Sequence, residues 1–230
     1  MLKVRLFKHR ISVIRRLKSR SLHTLSLDLE RKRRVTTLNI EKEKREEAIL
    51  LSLKKCDYLT REQIQKMHDL GKPRNAHRVL SDMEEYISSF TNDRKHVYYL
   101  NKDGRERVGA TKVRKKTAMI NHFLMRNDMY IALGRPATWK NEIKITIPNT
   151  KISIVSDSIF ISNKTHHFVE VDYKQSMTKN AAKINRYRQL YQFNPNFVLI
   201  WVTTTPYKKK KLLSLCEGLN VQVYLWDDIK

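Results

Sequence analysis

The sequence predicts an α+β protein in two parts: a small helical unit closed by a β-hairpin, then an α/β unit built on a mixed sheet. Three observations carry this. Apolar residues recur at helical spacing between about residues 43 and 87. Short strand-like runs with turn residues between them begin after residue 140. The run Phe197-Val198-Leu199-Ile200-Trp201-Val202 reads as a strand buried on both faces. The chain has 230 residues, room for one large or two small domains. Hydrophobic residues make up 40% of it, enough for a core.

Lysine and arginine number 47 against 23 acids, a formal net charge of +24. Self-repulsion opposes such a surplus in a compact state, so a polyanionic partner is expected. Nucleic acid comes first, because neutralising phosphates releases counterions. An anionic membrane surface comes second, and charge alone does not choose DNA over RNA. No run of 18 apolar residues exists, which argues against stable membrane insertion. Cys56 and Cys216 lack zinc spacing and read as two free buried thiols of a cytoplasmic protein.

Residues 1–40 form a basic N-terminal arm, with twelve Lys/Arg and only Asp28 and Glu30 as acids. The arm lacks the apolar centre of a signal peptide. It reads as a disordered basic segment, with a basic amphipathic helix on DNA or a membrane as the alternative. Arg31-Lys32-Arg33-Arg34 resembles an import signal, but such runs arise by chance.

Residues 41–112 form the helical unit. Its first helix runs from Glu43 to Leu53. Thr60-Arg61-Glu62-Gln63 is a capping box that starts a second helix. That helix ends near Leu70, with Gly71 as its cap. Pro73 opens a third helix carrying Ala76, Val79, Leu80, Met83 and Ile87 inward. Phe90 and Val97-Tyr98-Tyr99-Leu100 follow as a hairpin turning at Asn92-Asp93. Three helices and a hairpin are the order of a winged helix-turn-helix, whose third helix enters the major groove. Arg74, Asn75, His77, Arg78 and Ser81 would face DNA there, since Arg pairs with guanine and Asn with adenine edges. Arg94 and Lys95 would meet phosphate at the wing tip. A protein-binding winged helix or a plain three-helix bundle is the alternative.

Residues 113–230 form the α/β unit. A helix spans Thr117 to Leu133, with Ile120, Phe123, Leu124 and Ile131 inward. Strand-like runs follow at Ile143–Ile147, Ile152–Val155, Ser158–Ile161 and Phe168–Val171, with turns at Asn149-Thr150 and Asn163-Lys164. A helix from Thr178 to Phe193, the buried strand, a helix from Lys208 to Leu215 capped by Gly218, and a strand at Val221–Leu225 complete it. Antiparallel hairpins come first and a parallel crossover later.

Asp157 sits between two strand runs. Glu170 and Asp172 end the next strand, and positions 170, 172 and 174 share a face while the chain stays extended. Carboxylates so placed can hold Mg²⁺, which can activate water against a phosphodiester. This resembles the PD-(D/E)xK nuclease core, an Asp on one strand and an acid-x-lysine triplet on the next. Ser156-Asp157 stands for the first motif and Glu170-Val171-Asp172 for the triplet. The lysine position holds an acid, with Lys174 or Lys183 as a migrated lysine. His166-His167 point to opposite strand faces and cannot easily share one ion. Lys208-Lys209-Lys210-Lys211 reads as a solvated helix start, and Trp201 and Trp226 as core.

A fuller resemblance spans residues 45–228. The helical unit, Asn121-His122-Phe123-Leu124-Met125-Arg126-Asn127-Asp128, Trp139-Lys140-Asn141-Glu142, Ser156-Asp157, Phe168-Val169-Glu170-Val171-Asp172 and the helix with Lys183 and Tyr187 resemble the replication-relaxation family of plasmids, conjugative elements and phages. The resemblance implies that Glu142, Asp157, Glu170 and Asp172 line one site beside Lys183 and Tyr187. It implies DNA as partner, with plasmid replication or transfer proteins; a homodimer would suit a two-fold DNA site. Periodicity alone puts Tyr187 on an apolar helix face. Three functions stay open: a DNA-binding protein with a retired nuclease fold, an active Mg²⁺-dependent endonuclease, and a basic protein-interaction adaptor.

Overall fold

The computed structural model describes residue 31 and residues 33–147 and 150–230. Most of the expected basic arm, and Asn149 of one expected turn, lie outside the described residues. The chain divides into two compact units, 1–48 and 49–230. In the first, residues 33–48 are helical, and Lys42 pairs with Glu46 one turn on at 3.6 Å.

The second unit opens with helical residues 49–56 (α1), whose Ile49, Leu50 and Leu53 are buried. Strand β1 (Leu59–Thr60) leads into α2 (Arg61–His68). The capping box is formed: Thr60 Oγ1 accepts from the Gln63 amide at 3.1 Å, and Gln63 Oε1 from the Thr60 amide at 3.0 Å. Pro73 is the first residue of α3 (Pro73–Ser81). The helix stops short of Ile87, which was expected on its inner face. Ile87 instead opens β2 (Ile87–Asn92), opposite Leu100 of β3 (Lys95–Leu100). Its burial there needs no helix, because a strand residue facing the core is equally covered. The turn lies at Asp93 and Arg94, both at positive φ, as a two-residue hairpin loop requires. A short helix α4 (Lys102–Arg107) was not foreseen. It packs close, since a Cβ on Gly104 would lie 2.0 Å from the Tyr86 carbonyl oxygen.

Helix α5 (Ile120–Ala132) precedes a five-stranded sheet ordered β4 (Lys140–Thr146), β5 (Ser153–Ser162), β6 (Thr165–Asp172), β7 (Phe197–Thr203) and β8 (Val221–Leu225). The first three strands are antiparallel; β6, β7 and β8 are parallel. The protein is thus α+β with a mixed sheet. Helices α6 (Met177–Phe193) and α7 (Pro206–Leu215) make the parallel crossovers, and α8 (Trp226–Ile229) follows β8. The two runs expected on either side of Asp157 are one continuous strand, β5, with Asp157 inside it.

Alternation along the central strands sorts the core into two layers. Val169, Val171, Ile200 and Val202 join Met125 and Met129 of α5. The same cluster contains Leu50, Ile64, Leu80 and Met83, so one core runs across the boundary expected at 112/113. Phe168, Leu199 and Trp201 face the other way, against Ile184 and Tyr187 of α6 and Leu212 of α7. Glu170 and Asp172 share the face of Phe168, which carries two carboxylates into a buried layer.

Candidate functional site

Charged side chains gather at two places: the outer face of α3 and the carboxylates of the sheet. Ala76, Val79 and Leu80 anchor α3 inward. Arg74, His77, Arg78 and Ser81 are all exposed, and their spacing of three and four residues makes one stripe. Asn75, expected on the same stripe, is committed within the fold. It is half-buried, donates to the Leu70 carbonyl at 2.9 Å, and accepts from Arg78 at 3.0 Å. Arg94 and Lys95 are exposed at the hairpin turn. That turn is tied to α5: Asn92 donates to Asn121 at 2.8 Å, and Asn121 donates to Asp93 at 2.9 Å.

In the sheet, Asp157 is half-buried. Its Oδ2 accepts the Val171 amide at 2.7 Å, so the carboxylate takes a donor that a strand neighbour would otherwise use. Its Oδ1 lies 3.4 Å from His122 Nε2 of α5. Burial pushes this carboxyl up, but His122, the Lys183 charge and the Val171 amide outweigh it and hold it at about 2. Ser156 donates to the carbonyls of Ser158 and Val169 at 2.8 and 3.3 Å, bracing the strand on either side.

Glu170 is 1% exposed. Tyr187 donates to its Oε1 at 2.5 Å, and Lys183 pairs with its Oε2. Asn180, Lys183 and Tyr187 stand at positions i, i+3 and i+7 of α6, so one helix face supplies both partners. Burial, and then the nearby Asp157 charge, push the Glu170 carboxyl well above its usual range, against Lys183 and Tyr187. Tyr187 is both core and ligand of Glu170: it is fully buried, packed on Phe168 and Phe197.

Asp172 is fully buried but has different partners. Thr203 donates to it at 2.8 Å, and Lys208 of α7 pairs with it at 2.9 Å while donating also to the Gln175 carbonyl at 3.1 Å. Lys208 is therefore not the solvated charge expected of it. Lys174 lies past the end of β6, exposed and 5.3 Å from the Tyr173 ring centre. The extended register that would have put it beside Glu170 has ended. Glu142 is turned outward at φ 55° and pairs with Lys112 at 3.3 Å. The structure joins Glu170, Lys183 and Tyr187 by direct contact, with the Asp157 charge acting on Glu170 and the Lys183 charge on Asp157, and leaves Glu142, Asp172 and Lys174 with other partners.

Sequence reasoning missed His122 and Lys208, since nothing local marks a histidine or lysine that meets its acid 35 or 36 positions away. It also placed Trp226 in the core. Trp226 is half-buried and donates to Asp128 at 2.7 Å. His166 and His167 stack on Phe168 and Phe160, on opposite faces as expected. Both cysteines are buried, with burial raising the Cys56 thiol to about 12 and the Cys216 thiol to about 11. Neither is a thiolate nucleophile at neutral pH.

Mg²⁺ prefers octahedral oxygen ligands, with one or two carboxylates and several waters. Each oxygen of Asp157, Glu170 and Asp172 already faces a donor or cation. Among the described residues no group of three His, Cys, Asp or Glu has a geometry suited to a metal ion. The expected trio therefore does not fit a metal as it stands.

Fold and site define an α+β protein with a mixed five-stranded sheet carrying a buried, lysine-neutralised acid cluster. Residues 50–200 match the replication-relaxation family, and the chain belongs to it. No curated protein matches the chain. Among solved structures, the crystal structure of protein VC1899 from Vibrio cholerae is similar at 14% identity and a TM-score of 0.33. The match covers 68% of this chain and 40% of that one, so the chain spans less than half its length. Among the described residues no helix is long and apolar enough to cross a membrane.

Proposed function

We propose that this protein binds DNA in the replication or relaxation of a plasmid or other mobile element, reading the duplex with α3 of a winged helix-turn-helix. The observation that carries this reading is the exposed stripe Arg74, His77, Arg78, Ser81 on a helix anchored by its opposite face, in a chain of net charge +24. Arginines on such a stripe can reach guanine edges, while Arg94 and Lys95 meet phosphate. The remaining surplus charge adds a salt-dependent, sequence-independent attraction.

In this reading the α/β part is a PD-(D/E)xK-type fold whose acids now serve the fold. Lys183 and Tyr187 occupy both oxygens of Glu170, and Lys208 occupies Asp172. A second reading, metal-dependent cleavage, is favoured by one feature: Lys183 pairs with Glu170 and its charge also lowers the Asp157 carboxyl, as a migrated lysine would.

The test uses the purified protein with supercoiled and linear plasmid, in Mg²⁺, in Mn²⁺ and in EDTA, beside Asp157→Ala and Glu170→Ala. Retarded, uncut DNA in every lane is expected. Metal-dependent nicking lost in both variants would replace this reading with an endonuclease. No retardation at low salt would point to a protein-interaction adaptor and remove DNA altogether.

A further inference from the structure

A cleft of about 420 Å³ opens among α2, the β2–β3 turn, α5 and α8, with Lys66, Lys95, Asn121, Asp128, Tyr173 and Trp226 on its walls. That volume lies within the range of small-molecule sites. Its walls are fixed before any ligand arrives. Asp128 accepts from Gln63 Nε2 on one oxygen and from Trp226 Nε1 on the other, each at 2.7 Å. Both donors are neutral, and burial raises the Asp128 carboxyl above its usual range. The indole plane is thereby held, and Tyr173 meets it edge-on at 6.0 Å between ring centres. Asn121 braces the opposite wall by donating to Asp93 at 2.9 Å and to the Tyr173 hydroxyl at 2.6 Å.

The cleft thus offers an indole held in place, with Lys230 Nζ 4.2 Å from its ring centre, so a stacked base takes the other face or displaces that lysine. Amide and carboxyl groups stand at its edge, and Lys66 and Lys95 on its walls. Lys66 and Lys95 are exposed. Among the described residues neither has a carboxylate within ion-pair distance, although the acids Glu62, Asp93 and Asp128 line the same cleft. A flat heteroaromatic ring fits the aromatic surface through its π-face, and polar ring edges suit the amides. A phosphate suits the two lysines. A purely apolar ligand would leave the two lysines unused, and a simple anion would leave the rings unused.

We propose that this cleft binds a single nucleotide, its base against Trp226 and Tyr173 and its phosphate toward Lys66 and Lys95. The nucleotide is either free in solution or the unpaired end of a DNA strand; the recognising chemistry is the same. The site is separate from the α3 stripe but shares Lys95 with the wing-tip phosphate contact, so Lys66 and Trp226, which the duplex reading does not use, carry its test.

Trp139 and Trp201 are 5% and 1% exposed, so quenching by added nucleotide reports Trp226. The full chain is titrated with dAMP, dGMP, dCMP and dTMP, following tryptophan emission and heat. In parallel, blunt duplex is compared with duplex bearing a three-nucleotide single-stranded tail. Saturable quenching by at least one mononucleotide, weakened about tenfold in Lys66→Ala, supports a free nucleotide as ligand. Tighter binding of tailed than blunt duplex, with that preference lost in Trp226→Ala and Lys66→Ala, supports a strand end. Lys66→Ala removes an exposed side chain, so it keeps the test valid should Trp226→Ala misfold. No saturable quenching, together with equal binding of tailed and blunt duplex, overturns the proposal. An Arg74→Ala, Arg78→Ala double variant separates the two sites: it should lose duplex preference and keep the nucleotide response.

Discussion

Replacing Lys183 by Met should destabilise the protein strongly at neutral pH and weakly in acid. The substitution keeps an unbranched apolar side chain on α6 and removes the cation. Glu170, 1% exposed, would retain the Tyr187 hydroxyl as its single partner. Removing one member of a buried ion pair costs about 3–5 kcal/mol, because the other charge stays buried. The Lys183 side chain is itself 18% exposed, which places the loss near the lower end, about 3 kcal/mol. Proton uptake limits this cost. Burial and Asp157 already raise the Glu170 carboxyl, and loss of Lys183 raises it further. A folded-state value above the unfolded one makes stability fullest below the unfolded value and erodes it as pH rises through the folded one. Each pH unit in that window is worth about 1.4 kcal/mol. The difference between variant and parent should therefore shrink from about 3 kcal/mol at pH 8 to under about 1 kcal/mol near pH 5. Urea unfolding followed through the buried Trp201 at both pH values measures it. A loss of equal size at both would refute the buried-carboxylate argument, and a loss below about 0.5 kcal/mol at pH 8 would refute the pairing itself.

Three further outcomes follow from the same geometry. Arg78→Ala should reduce discrimination between DNA sequences by about 1–3 kcal/mol, whereas Lys95→Ala should weaken all sequences evenly and flatten the salt slope by about one unit; competition binding at several salt concentrations separates the two. Arg126, 1% exposed, donates to Asp57 at 2.9 Å and to the Cys56 carbonyl at 3.1 Å, so Arg126→Met should cost about 3–5 kcal/mol and lower Tm on the order of 10 °C in a thermal melt. Asp157, held at about 2, contributes stability that is present above the ordinary aspartate range and lost as pH falls through about 4 to 2. Asp157→Asn should remove that acid limb, roughly 2 kcal/mol, from a stability–pH curve that is otherwise parallel to the parent's.

The features read correctly from sequence were those fixed by neighbours in the chain. Thr60 and Gln63 are three residues apart and cap each other, and Pro73 begins its helix because its missing N–H is harmless there. The apolar run at Phe197–Val202 could only be a strand covered on both faces. Errors arose where a distant partner decided the outcome. Ser156-Asp157-Ser158 looked like a break between strands because three polar residues lack alternation. The strand continues because Ser156 finds the Val169 carbonyl and Asp157 the Val171 amide, satisfactions invisible in the local sequence. Arg126 and Asn127 are buried in α5, against their usual preference, because Asp57 and the carbonyls of Cys56 and Tyr58 await them. Of the cluster, Glu170 was legible by strand alternation, whereas Asp157, Lys183 and Tyr187 came to the site only through the resemblance, and periodicity alone put Tyr187 in the core. His122 was not legible, because it comes from the helix on the far face of the sheet.

The two acids of β6 each have a lysine, but the lysines come from successive helices: Lys183 of α6 for Glu170, Lys208 of α7 for Asp172. The second pair ties the end of β6 to the start of α7, since Lys208 also holds the Gln175 carbonyl. If this charge is committed internally, Lys208→Met should cost about 3–5 kcal/mol in stability while leaving DNA affinity and its salt slope unchanged. Asp172→Asn in that background should recover most of the loss, because a neutral amide can still accept from Thr203 and no buried charge remains. A coupling near 2 kcal/mol from the double-mutant cycle would establish the pair as structural. Weaker DNA binding and a flatter salt slope in Lys208→Met, with stability intact, would mean that Lys208 turns outward to phosphate. Asp172 would then be a buried acid with Thr203 as its donor and no cation, and the acids of this sheet would not be held for the fold.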